Sequence, residues 1–227
     1  MPPINYKHEL IIEKVKGKRV LHIGATNAPY HVENAKVGKL LHQKIKGSCK
    51  SIIGIDYDRV AIEELKKYGV NDIHFGDIIK GQYDERIPGN DYDIILFADV
   101  IEHLDNPGLA LENVRSLCNP STLVIITTPN AWSIVHILNH FKREEYVHPD
   151  HKFWPSKATM DALLGSCGFE VVSFQYCLTP SEPKKKTIKG RIFKRLVLDK
   201  FPHTGHTLFY ELKVSGGRNL KIGARIN

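Results

Sequence analysis

The stretch Tyr92–Pro107, YDIILFADVIEHLDNP, decides the fold. Its first part, Tyr92–Ala98, is apolar almost throughout, the pattern of a strand covered on both faces rather than one with a wet side. It ends abruptly at the acid Asp99. A short polar segment follows, and then a helical stretch over Gly108–Leu117. An apolar strand that runs into an acid and then a helix is the repeating unit of a parallel sheet.

The same unit recurs on either side. Strand candidates are Arg19–Gly24, Ser51–Asp56, Asp72–Phe75, Leu123–Thr128, Phe169–Tyr176 and His206–Lys213. Helices are expected over Val32–Ile45, Arg59–Tyr68 and Ser156–Cys167. The last of these has Ser156 as its cap, apolar residues at helical spacing and Gly168 as its stop. Tyr6–Val15 reads as an amphipathic N-terminal helix. The expected fold is α/β and Rossmann-like: a mostly parallel, seven-stranded sheet with helices on both faces. One domain spans 1–214, with a lid helix in 1–17 and a basic insertion at 184–200 before the last strand. A loose tail covers 215–227, which carries three glycines.

Composition narrows the class. The chain has 227 residues, of which 42% are hydrophobic, enough to bury a core. Its four cysteines contain no CxxC pair, which argues against a disulfide framework or a cysteine zinc site. No run reaches the roughly 18 apolar residues of a membrane span, so a cytoplasmic protein is expected. The net charge is +7 and unevenly placed. Lys184–Arg195, KKKTIKGRIFKR, has no acid and reads as a basic amphipathic helix. It suits peripheral contact with an anionic membrane, and a solvated surface is the competing reading. No nucleic-acid module is recognisable, so a nucleic-acid partner is not expected.

In an open parallel sheet, ligands bind beyond the carboxyl ends of the strands, where strand order switches. Three such ends carry suitable groups. The first strand runs into Gly24-Ala25-Thr26, small residues that let a ligand approach the backbone. The second ends in Asp56, placed to accept from two ribose hydroxyls. The fourth ends in Ala98-Asp99. Each acid alone could simply form a turn; together, on one rim, they indicate a cofactor site. No GxGxxG follows the first strand and no GxxxxGK[ST] occurs, which disfavours nicotinamide enzymes and P-loop nucleotidases.

VLHIGATNA (Val20–Ala28), IGIDYD (Ile53–Asp58), FGDI (Phe75–Ile78), the Tyr92–Pro107 stretch and LVIITTPN (Leu123–Asn130) together resemble successive motifs of class I S-adenosylmethionine (SAM)-dependent methyltransferases. DVIEHLDNP is similar to the branch containing quinone-biosynthesis and polysaccharide-cluster O-methyltransferases, and so is His148–Val172. The resemblance implies SAM as cofactor and S-adenosylhomocysteine as product. It implies that Gly24, Ala25 and Thr26 face the methionine part, that Asp56, with Tyr57 beside it, binds the ribose, and that Asp77 and Ile78 flank the adenine. Ala98 and Asp99 would line the methionyl end. His22 stands where the family usually has an acid, and the glycine-rich loop is reduced to Gly24.

A hydroxyl acceptor must lose a proton as it takes the methyl group, and histidine is the usual agent. His103, His148 and His151 are the candidate catalytic residues, a structural role being the competing reading for each. Trp132, Phe153 and Trp154 are candidate acceptor-binding aromatics. Asp150 lies between two of the histidines, yet the spacing matches no specific metal motif, and no metal is expected. The reading is an O-methyltransferase of polysaccharide biosynthesis, acting on a sugar hydroxyl of a cell-surface glycan or glycolipid intermediate. Alternatives are a small aromatic or quinone-like acceptor, and a catalytically silent scaffold with the same fold.

Overall fold

The computed structural model describes residues 4–87, 89, 91–145, 147–179 and 198–216. Nine strands form one sheet: β1 (Asn5–Tyr6), β2 (Arg19–Ile23), β3 (Ser51–Asp56), β4 (Ile73–Asp77), β5 (Gln82–Tyr83), β6 (Ile94–Ala98), β7 (Leu123–Pro129), β8 (Phe169–Leu178) and β9 (Thr207–Val214). The spatial order is β1-β8-β9-β7-β6-β2-β3-β4-β5. The seven expected strands are all present. Two further two-residue strands, β1 and β5, extend the edges and are too short to leave a period in the sequence.

Strands β2, β3, β4, β6 and β7 are mutually parallel, and β9 runs antiparallel between β7 and β8. β2 pairs with β3 on one side and β6 on the other, so chain order reverses there. A crevice opens beyond β2 because the connections leave it in opposite directions.

The helices are α1 (Lys7–Val15), α2 (His31–Lys36), α3 (Leu41–Lys46), α4 (Arg59–Lys66), α5 (Pro107–Ser116), α6 (Ile134–Phe141) and α7 (Lys157–Ser166). The alternation along β6 shows why an unbroken apolar run makes a strand here. Ile95 and Phe97 point into a core shared with Leu111, Val114, Met160 and Leu164 of α5 and α7. Ile94 and Leu96 point into the opposite core, with Leu10, Ile11 and Val15 of α1 and Ile45 of α3. Each such side chain contributes about 1.5–3 kcal/mol relative to exposure.

Two helical expectations are corrected. Val32–Ile45 is not one helix: α2 and α3 are separated by a turn at Gly38, whose φ is +65°. α6 carried no recognised signal. It is capped by the Ser133 side chain, and its apolar residues Ile134, Val135, Ile137, Leu138 and Phe141 recur at helical spacing although none is buried. α7 begins and ends as expected, with Ser156 and Thr159 forming a reciprocal capping box. The basic segment Lys184–Arg195 lies outside the described residues, as does the tail beyond residue 216. Among the described residues, no helix is long and apolar enough to cross a membrane.

Candidate active site

The crevice beyond β2 is a cavity of about 880 Å³, within the roughly 300–1,000 Å³ of small-molecule sites. All nine expected cofactor residues line it: Gly24, Ala25 and Thr26 after β2; Asp56 and Tyr57 after β3; Asp77 and Ile78 after β4; Ala98 and Asp99 after β6.

The loop after β2 is held close to β3. Gly24 and Ala25 donate their N–H groups to the Ile55 carbonyl at 2.9 and 3.2 Å. Gly24 has φ +71°, and a Cβ there would lie 2.3 Å from Val100 Cγ2. Only glycine fits, on both conformational and steric grounds. Thr26 then donates its backbone N–H and hydroxyl to Asp56 Oδ2 at 3.1 and 2.7 Å, while Asp58 N–H reaches Asp56 Oδ1 at 3.1 Å. These donors fix the carboxylate in one orientation at the rim. Asp77 is oriented similarly by the N–H groups of Ile79 and Lys80. Burial acts to raise the Asp77 pKa, but those donors and the Lys80 ammonium hold it below the usual range.

At the other end, Asp99 occupies left-handed backbone at φ +52°. Its N–H donates to the Thr127 carbonyl at 2.8 Å, and its Oδ1 accepts from the Thr127 hydroxyl at 2.9 Å. Lys7, at the start of α1, forms an ion pair with its Oδ2. Burial pushes the Asp99 pKa up, yet the Lys7 charge and these hydrogen bonds hold it down, so the carboxylate is ionised. Beside it, Glu102 is buried with one oxygen accepting from Thr128 at 3.0 Å and the other without a partner among the described residues. Burial, then the Asp99 charge, raises its pKa.

His103 ends a 3-10 turn, Ile101–His103, and lines the cavity with His148. His151 does not line it but packs edge-on to His103, with ring centroids 4.7 Å apart. The loop carrying His148 and His151 is tied to the turn by Lys152 N–H donating to the Glu102 carbonyl at 2.8 Å. Burial, then the neighbouring histidines, pushes the His151 imidazole down to about 4. His103 is lowered for the same reasons, burial first and His148 second. Both are neutral at pH 7.

The three aromatics lie elsewhere. Trp132 is 65% exposed, Phe153 packs on the main core, and Trp154 lies against His136 with ring centroids 4.1 Å apart. None lines this cavity. Sequence reasoning did not single out His8, Lys44, Asp105 or Lys152, which do. Their only signal was polarity, which surface residues share.

His22, in the position where an acid was expected, forms part of the cavity floor. It is buried and stacks on His42, with Nδ1 atoms 3.2 Å apart. The far side of His42 faces Asp72, Nε2 to Oδ2 being 3.4 Å. Burial, then His42, lowers the His22 pKa well below its ordinary value.

Comparison with known proteins follows this geometry. A family profile described as a methyltransferase domain matches residues 7–174. No curated protein matches the sequence. Solved structures share the fold at low identity. A chain of a complex containing the Haloferax volcanii Trm112 methyltransferase activator superposes with a TM-score of 0.58 at 13% identity, covering 95% of this chain and 92% of that one. The small RNA methyltransferase HEN1 also gives 0.58, at 18% identity, covering 97% of this chain but only 27% of its own longer chain. A SAM-dependent methyltransferase of Thermotoga maritima gives 0.57 at 15% identity, covering 91% and 86%.

Proposed function

The chain belongs to the methyltransferase-domain family and is a SAM-dependent methyltransferase, and from that premise we propose that it O-methylates a sugar hydroxyl of a cell-surface glycan or glycolipid intermediate. The observation that carries this reading is a single cavity joining the Asp56 rim to a cluster of histidines.

The residues present fit the cofactor. Gly24 leaves room for close approach where a Cβ would collide, and Asp56 is a pre-oriented, nearly buried carboxylate suited to a ribose diol. Asp77 and Ile78 would flank the adenine, and Ala98 with Asp99 the methionyl end. When bound, SAM supplies an electrophilic methyl group on a sulfonium. The chain's own part is to exclude water, to align the acceptor for in-line attack and to relieve it of a proton. His103 has its pKa lowered, burial first and His148 second, and a neutral imidazole keeps one ring nitrogen as a lone pair. Neutral at pH 7, His103 and His151 are in the state that takes up or polarises a hydroxyl proton.

The cavity wall beside the cluster is polar: Asp105, His148, Asp150 and Lys152 line it. Such groups suit a hydroxyl-rich acceptor, which exchanges water for directed hydrogen bonds. A flat aromatic acceptor would instead call for apolar walls, and Trp132, Phe153 and Trp154 do not provide them here.

The deciding experiment incubates the protein with methyl-labelled SAM and four acceptor classes: free sugars, lipid-linked glycans, phenols or quinols, and small RNA. The expected product is a sugar methyl ether, located by mass and fragmentation. Label found only on a phenol or on RNA would replace the sugar reading.

A further inference from the structure

We infer that His103, His148 and His151 form a binding site for one divalent transition-metal ion of the zinc type, at the edge of the cofactor cavity. Each offers one ring nitrogen, and these atoms all lie within 4.8 Å of one another. Metal–nitrogen bonds of about 2.0–2.1 Å in tetrahedral geometry require nitrogens about 3.3 Å apart. The rings therefore need to draw together by at most about 1.5 Å, which side-chain torsions supply.

Aromatic packing alone does not account for the arrangement. His103 stands near-perpendicular to both partners, at 79° and 81°, with centroids 5.7 and 4.7 Å away. His151 Nδ1 is buried and meets no hydrogen-bond partner among the described residues. A buried nitrogen with no partner is unfavourable, and a bound ion would supply one. An outer carboxylate of the kind that orients an imidazole ligand lies beside one of the three. His148 Nδ1 accepts the Asp150 backbone N–H at 3.3 Å and lies 3.7 Å from the Asp150 carboxylate, to which it would donate once Nε2 binds the ion. A second ring nitrogen held in this way fixes the ring and presents the first.

The site is assembled before any ligand arrives. The turn bearing His103 and the loop bearing the other two are joined by the Lys152–Glu102 backbone bond, and His151 N–H closes the loop on the His148 carbonyl at 3.0 Å. Three imidazoles favour zinc, cobalt, nickel, copper or iron over magnesium or calcium, which prefer oxygen. Three protein ligands also leave a fourth position open, beside the cavity that His103 and His148 line. An acceptor oxygen placed there would be acidified by the ion. That role rests on the methyl-transfer reading; the binding itself does not.

The test reads binding alone. Protein stripped with a chelator is titrated with Co²⁺ and followed by visible ligand-field absorption, with Zn²⁺ and Mg²⁺ as competitors. The expected result is one Co²⁺ per chain in a tetrahedral spectrum, displaced by Zn²⁺ and not by Mg²⁺. His103→Ala, His148→Ala and His151→Ala should each weaken Co²⁺ at least tenfold. His151→Asn and His148→Asn repeat the test with smaller changes in packing. S-adenosylhomocysteine binding, measured on the same samples, shows that each variant is folded and tests the cofactor reading separately. Wild-type protein that shows no tetrahedral Co²⁺ spectrum, or Co²⁺ affinity that survives loss of all three histidines, overturns the inference.

Discussion

Lys7 and Asp99, 92 positions apart in the chain, form an ion pair that pins the first helix to the end of the central strand β6. Lys7 is 5% exposed, so its ammonium is withdrawn from water and Asp99 is its compensation. Through this contact α1, which packs on one face of the sheet, also closes one side of the cofactor cavity, and His8 beside it lines the wall.

Replacing Lys7 with Met removes the cation and leaves Asp99 charged in a partly buried place. Breaking a fully buried pair costs about 3–5 kcal/mol, while an exposed pair is worth at most about 1. The Asp99 side chain is 37% exposed, so an intermediate loss of roughly 1–3 kcal/mol is expected. Urea unfolding checks this, and a parallel titration should show weaker S-adenosylhomocysteine binding. Unchanged stability and affinity would mean that the pair neither holds α1 nor shapes the site.

Asp56→Ala tests the ribose contact. Two charge-assisted hydrogen bonds, each about 1.5–3 kcal/mol, are lost to the cofactor. The variant should stay folded, because Thr26 remains anchored through the backbone bonds of Gly24 and Ala25 to Ile55. Calorimetric titration should show at least a tenfold weaker affinity for S-adenosylhomocysteine. An affinity within twofold of wild type would remove Asp56 from the site.

Gly24→Ala should be damaging for two separable reasons. Left-handed backbone disfavours a Cβ by roughly 1–2 kcal/mol, and overpacking against Val100 adds about 1–3 more. The second cause has a cure: Val100→Ala in the same chain removes the Cγ2 that the new Cβ would meet. Thermal unfolding of both single variants and the double one should show partial recovery. Strict additivity would show that the Val100 contact is not the cause.

His103→Ala should lower turnover about 100- to 10,000-fold, the usual range for a positioned proton-handling group. Cofactor affinity should change little, because the imidazole sits on the acceptor side. Single-turnover rates with the authentic acceptor, alongside a cofactor titration, separate the two quantities. Near-normal turnover would move the role to His148 or His151.

The His22 imidazole gives the fold an acid sensitivity. Its folded pKa lies well below the ordinary value, by burial and then by His42. The unfolded chain therefore takes up a proton near pH 6.5 that the folded chain refuses. Stability from this group is fully present above that pH and falls below it, by up to about 1.4 kcal/mol per pH unit. Urea unfolding between pH 5 and 8 should show this slope, and His22→Gln should flatten it. An unchanged slope in the variant would assign the acid sensitivity to other groups.

Much of this protein was legible without coordinates. The doubly covered strands were readable because burial on both faces removes most polar positions, so β6 announces itself as an unbroken apolar run and β2 as one interrupted only at His22. The shared rim of the residues proposed for the cofactor was readable for a related reason. A parallel sheet places the ends of its strands on one rim, so Gly24, Asp56, Asp77 and Asp99 share a cavity once strand direction is known. α6 was not singled out although Ile134, Ile137, Leu138 and Phe141 recur at helical spacing, because so short an apolar run does not by pattern alone tell helix from strand.

Tertiary structure alone decided the acceptor side. His103 and the pair His148 and His151 are separated by some 45 positions with no motif spacing, and the backbone bond from Lys152 to Glu102 and the Lys152–Asp105 ion pair bring them together. It also decided that Trp132, Phe153 and Trp154 do not line the cavity, since aromatic side chains serve cores and binding walls equally well. The physical reason is one of range. Periodicity reports how a segment meets solvent and sheet, and that is a local property. Which loops meet across the mouth of the crevice depends on packing between elements far apart in the chain, and no local pattern encodes it.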